Sequence, residues 1–144
     1  MARIERSALV RFSTEQMFAL VNDVARYPEF MPGCVAAEVL EASESHLTAR
    51  LTLKAAGVEQ SFVTTNALTP PTRMDMVLVE GPFSHFSGQW QFIALGDIGC
   101  KIVFSLDFDL KNGLVALAAG KVFEAVASQQ VDCLCRRAEQ LYSG

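Results

Sequence analysis

From His46 to Leu110 the chain alternates apolar and polar residues in run after run, and this pattern limits the possible folds more than any other. Leu47, Ala49, Leu51 and Leu53 alternate with His46, Thr48, Arg50, Thr52 and Lys54. Val58, Phe62 and Leu68 share one parity, with Thr64 and Asn66 between them. Met74, Met76 and Leu78 follow, then Phe86, Gly88, Trp90 and Phe92. The clearest run is Cys100, Ile102, Phe104, Leu106, Phe108 and Leu110, whose neighbours Lys101, Ser105, Asp107 and Asp109 are polar. A period of two lays each apolar set on one face of a strand. Turn signals at Ala55-Ala56-Gly57, Pro70-Pro71, Gly81-Pro82 and Gly96 to Gly99 separate the runs. The product is an antiparallel sheet with one apolar face, and that face must be covered.

The flanking segments supply the cover. Residues 4 to 12 put Ile4, Ala8, Val10 and Phe12 on one side of a first strand. The run STEQ then fits a capping box, with Ser13 as N-cap and Gln16 reaching back. Met17, Leu20, Val21 and Val24 recur at helical spacing, which predicts a helix over 14 to 25. YPEFMPGC, residues 27 to 34, follows as a helical turn or loop, because Pro28 and Pro32 prevent a long helix or a central strand. Asn112 is a suitable N-cap for a last helix running to about Leu141. Its polar stripe is Lys121, Glu124, Ser128, Asp132, Arg136 and Glu139, and its apolar stripe is Val122, Phe123, Val126, Val131, Leu134, Ala138 and Leu141. The expected architecture is therefore α+β: seven strands in a curved antiparallel sheet, two short helices after the first strand, and one long C-terminal helix laid across the concave face. This is the helix-grip arrangement, in a single domain over residues 1 to 144.

Charge and thiols narrow the function classes. The net charge is −4, the opposite of the balance expected for a nucleic-acid binder that works through a basic surface. Arg3, Glu5, Arg6 and Arg11 interrupt the opening residues, which do not read as a signal peptide. Residues 114 to 127 are too short to span a bilayer, and a cytoplasmic location is the expectation. Cys34, Cys100, Cys133 and Cys135 form no CxxC and are expected as free thiols. A metal site is not expected, with only His46 and His85 to add ligands. Catalysis finds little support either: both histidines fall on polar parities, Asp107 and Asp109 share the outer face, and no phosphate loop is present. The expectation is a protein that is not an enzyme and requires no cofactor.

The inward parity carries unusually large, adaptable groups: Phe62, Met74, Met76, Phe86, Trp90, Phe104 and Phe108. They read either as plain core or as the wall of a cavity. The cavity reading has two supports. One helix covers only part of a seven-stranded concave face, and several apolar residues fall outside the periodicity. These are Tyr27, Phe30 and Met31 in the proline-bounded turn, Phe83 after Gly81-Pro82, and Leu114 and Leu117 at the helix start. Together with Val122, Phe123 and Val126 they form a candidate site for a long apolar molecule. Each buried methylene of such a guest contributes roughly 0.8 kcal/mol. Phe30 and Met31 are expected to act as a lid over its mouth, or else as a plug that caps the core. Arg6 and Asn66, polar residues on apolar parities, are the candidate polar anchors, with Gln60 raising the same question.

The blocks SALVRFSTEQMFALVNDVARYPEFMPGC and EGPFSHFSGQWQF, and the strand FSLDFDL leading to a helix with KVFE, resemble the coenzyme Q-binding START-like proteins of the polyketide cyclase/dehydrase (SRPBCC) family. Within that family the chain is most similar to the bacterial ribosome-association toxin type. The resemblance implies the helix-grip (START/Bet v 1-like) fold and a bound ubiquinone or similar isoprenoid lipid, linked to respiration. For the toxin type it also implies action on the large ribosomal subunit that hinders subunit joining, with a small antitoxin-like partner. It leaves room for transient membrane contact and, remotely, for a cyclase-like enzyme. It places Tyr27, Pro28, Phe30 and Pro32 in the family's signature turn and Trp90 in its cavity-facing strand.

Overall fold

The computed structural model describes residues 2–55, 58–110 and 123–142. Seven antiparallel strands form a single curved sheet: β1 (Ala2–Val10), β2 (Cys34–Ala42), β3 (His46–Ala55), β4 (Val58–Thr69), β5 (Arg73–Glu80), β6 (Phe83–Ala94) and β7 (Cys100–Leu110). Their spatial order is β1-β7-β6-β5-β4-β3-β2, a meander from β2 to β7 that β1 extends at the far edge. The register sets the inward parities side by side: Leu51 faces Phe62, Met74 faces Trp90, Trp90 faces Phe104, and Gly88 faces Leu106. Leu47, Ala49, Phe62, Met74, Phe86, Trp90, Phe92, Ile102, Phe104, Leu106 and Phe108 are all buried, as the alternation requires.

The predicted capping box is present. Gln16 N–H donates to Ser13 Oγ at 3.1 Å, and Ser13 N–H donates to Gln16 Oε1 at 3.0 Å. The helix it starts, α1 (Thr14–Asn22), buries Met17, Phe18, Leu20 and Val21. It ends three residues earlier than the apolar spacing suggests, because Asp23 leaves helical geometry at φ −85°, ψ 62°. A 3₁₀ turn over Val24–Arg26 leads directly into α2 (Tyr27–Phe30), which has Pro28 in its first turn, where the missing N–H costs nothing. Gly33 then turns the chain at φ 87°, and a Cβ there would lie 2.8 Å from Val126 Cγ2. The glycine is thus required twice, by its backbone angle and by the approach of the C-terminal helical segments.

Those segments are not the single continuous helix that the stripes predict. Among the described residues, 123–128 are helical (α3), a turn intervenes at Gln129, and α4 runs Gln130–Tyr142. Ser128 Oγ donates back to Ala125 O at 3.0 Å, and the Gln129 amide donates to Val126 O at 3.2 Å. Serine back-bonding of this kind competes with the helical ladder and bends it. Within α4, Val131, Cys133, Leu134 and Ala138 are in the core, while Leu141, at its C-terminal end, is 51% exposed. The expected cap at Asn112 and the expected loop residues Ala56 and Gly57 lie outside the described residues.

Candidate functional site

The inner faces of β3 to β7, α3, the first residue of α4 and the ring of Tyr27 line a partly open cavity of about 70 Å³. Of the residues singled out from sequence, Tyr27, Phe62, Met76, Phe86, Trp90, Phe104, Phe123 and Val126 line it. Leu51, Leu53, Thr64, Leu106, Ala127 and Gln130 complete the wall. Most of these lie on the same inward parities, and period-two reasoning alone cannot separate wall from core. The volume suits part of a ring or a few methylenes; binding sites for drug-sized molecules run to roughly 300–1,000 Å³. A long guest therefore has to part the walls.

The wall most suited to parting is aromatic. Phe123, on α3, is set among four rings of the sheet, with centroids 4.8 Å from Phe108, 5.0 Å from Phe83, 5.8 Å from Phe62 and 6.1 Å from Phe86. Edge-on pairs of this kind contribute about 0.5–1.5 kcal/mol each beyond their buried area. Trp90 sits deeper, 4.5 Å from Phe104 and stacked on Phe92 at 6.3 Å.

Other expected residues are placed elsewhere. Met74 is buried beside Trp90, and Phe108 belongs to the ring cluster; neither lines the cavity. Met31 is 3% exposed and packs in the core. Phe30 lines a separate groove with Leu20, Asp23, Arg26, Arg137 and Leu141. It is drawn there by α4: the Arg137 guanidinium lies 5.1 Å above its ring and pairs with Glu29 at 2.9 Å. The expected lid of Phe30 and Met31 is therefore corrected: one residue serves the core and the other the contact with α4. Leu114, Leu117 and Val122 lie outside the described residues.

Neither polar anchor enters the cavity. Arg6 sits on an edge strand, is exposed, and donates to the Glu5 carbonyl at 2.9 Å, so its charged head stays at the surface. Asn66 is buried behind the wall and accepts from Thr64 Oγ1 at 3.1 Å. The exposed His46 and His85 stand on the outer face.

Tyr27 explains the proline-bounded turn. Its hydroxyl donates to the carbonyl of Val21, one of the groups that the end of α1 leaves without a helical partner. Burial, reinforced by Cys34 and Asp23, raises its pKa above the ordinary phenol value. Burial likewise raises the Cys34, Cys100 and Cys135 thiols, the opposite of an activated nucleophile. Among the described residues, no cluster of three His, Cys, Asp or Glu is placed to hold a metal, and no helix is long and apolar enough to cross a membrane.

A family model described as polyketide cyclase / dehydrase and lipid transport matches residues 10–135. A Vibrio cholerae protein named ribosome association toxin RatA is 47% identical over 142 residues, spanning 99% of both chains. A Xenopus laevis protein named coenzyme Q-binding protein COQ10 homolog B, mitochondrial, is 29% identical over 97% of this chain and 60% of its own length. In fold, the crystal structure of the Zhui aromatase/cyclase from Streptomyces superposes with a TM-score of 0.84 at 17% identity, covering 99% of this chain and 98% of that one.

Proposed function

We propose a function from a plain premise: the chain belongs to the polyketide cyclase / dehydrase and lipid transport family. Its cavity holds a long apolar molecule, an isoprenoid quinone in its oxidised or reduced form being the best match, and performs no chemistry on it. One observation carries this reading. Among the described residues, Tyr27 is the only titratable side chain in the lining, and its hydroxyl is already bonded to Val21. The rest is aliphatic and aromatic but for Thr64 and Gln130. Such a wall rewards buried hydrocarbon area and supplies no acid/base pair for a cyclisation. Mass spectrometry of the organic extract from gently purified protein tests the reading. A near-stoichiometric quinone or isoprenoid is expected, and a lipid-free extract from protein that also fails to take up added quinone refutes it.

A second reading is favoured by the 47% identity to the Vibrio protein along nearly the whole chain. On this reading the protein associates with the large ribosomal subunit and hinders subunit joining, and the cavity serves stability or regulation. Added protein then raises the proportion of free subunits in a sucrose gradient. An unchanged profile at micromolar protein counts against it.

A further inference from the structure

We propose that the cavity selects a guest whose polar end carries a hydroxyl group, such as a phenol or a hydroquinone, over the matching ether or carbonyl, and that Thr64 is the residue that reads it. The proposal rests on the ligand-binding reading above. Thr64 is 5% exposed and lies on β4 in the cavity wall. A hydroxyl has one proton and two lone pairs, and the proton of Thr64 is committed: Oγ1 donates to Asn66 Oδ1 at 3.1 Å, with both residues buried. An amide oxygen cannot donate, so the direction of this bond is fixed. Tyr27 has likewise given its proton to the Val21 carbonyl. The hydroxyls of both lining residues, Tyr27 and Thr64, can therefore only accept from a guest.

A carbonyl or ether oxygen placed against Thr64 meets lone pairs with lone pairs. If Thr64 turns its proton toward the guest, Asn66 Oδ1 is left buried without a partner, which is the expensive way to lose a hydrogen bond. A guest hydroxyl brings the missing proton and leaves the Thr64–Asn66 bond intact. Among the described residues, the Trp90 indole N–H and the Gln130 amide are the donor-bearing groups of the lining. They serve a hydroxyl oxygen and a carbonyl oxygen alike, so discrimination falls to Thr64.

The test uses the full chain and two probes with the same tail, para-decylphenol and its methyl ether, titrated by isothermal calorimetry. The phenol is expected to bind at least about tenfold more tightly, the fold-change of roughly one buried hydrogen bond. Thr64→Val, similar in shape, should bring the two within about threefold, and Thr64→Ser should restore the gap. Saturable binding of both probes with equal affinity to the wild type overturns the proposal and leaves the cavity reading standing. A preference that survives in folded Thr64→Val removes Thr64 from the role. No binding of either probe sinks the cavity reading and this inference with it. The wild-type comparison needs no variant, so the proposal remains exposed to refutation even if Thr64→Val does not fold.

Discussion

Replacing Tyr27 with phenylalanine removes one oxygen and leaves the ring in the cavity wall. The lost atom is the partner of the Val21 carbonyl at the end of α1. Tyr27 is 8% exposed, so water replaces it poorly. An orphaned buried acceptor costs about 1–3 kcal/mol. For a chain of 144 residues the unfolding entropy makes each kcal/mol worth about 3 °C in Tm, so Tyr27→Phe should unfold about 3–10 °C lower at neutral pH. The pH dependence follows from the raised phenol. A folded pKa above the unfolded one means that the stabilisation is full below the unfolded value, about 10, and is lost as the pH climbs from there through the folded value. The wild type should therefore lose its advantage over Tyr27→Phe in strong alkali, at up to about 1.4 kcal/mol per pH unit. Chemical denaturation of both proteins at neutral pH and at two alkaline pH values measures the gap. Equal stability at neutral pH, or a gap that does not narrow above pH 10, refutes this account of the turn.

Three further outcomes are expected. A Cβ at Gly88 would lie 2.6 Å from Met76 Cε and 3.2 Å from Leu106 Cδ1, and the flexible methionine end is the part that yields. Gly88→Ala should therefore cost only about 1 kcal/mol while pushing Met76 into the cavity, so guest affinity measured by calorimetry should fall more than stability. Phe123→Ala removes the ring at the centre of the aromatic cluster and should cost about 3–5 kcal/mol in denaturant unfolding, with an enlarged cavity that accepts bulkier probes. Arg137→Met discards the pair with Glu29 and the contact over Phe30. The arginine is largely covered but the glutamate is half exposed, so about 1 kcal/mol is expected, together with faster amide exchange in α2.

The sheet was legible because its signal is local and repeated. Parity from Leu47 to Phe108 assigns almost every inward residue, and STEQ announces the start of α1 by its own chemistry. The boundaries were less legible. The apolar spacing runs on to Val24, but the backbone departs at Asp23, and only a backbone angle records that. The break at Gln129 comes from a serine that reads as an ordinary member of the polar stripe. Within the site, parity identified the inward side chains but not which of them border space. That depends on where α3 and α4 lie across the curved sheet, a tertiary fact. Leu53 and Thr64 line the cavity while Met74, from an equivalent pattern, does not. Phe30 was misplaced for a related reason. Nothing near it in sequence signals Arg137, 107 positions later, whose guanidinium draws the ring away from the cavity.

The proposed binding site for an apolar guest is the space beside Trp90. Trp90 is the only tryptophan in the chain, so its fluorescence reports on that wall alone. The direct measurement is a titration with a quinone bearing a ten-carbon tail. Quenching that saturates near one equivalent and is reversed by para-decylphenol is expected. Quenching that stays linear with concentration, as for free indole in solution, would contradict it.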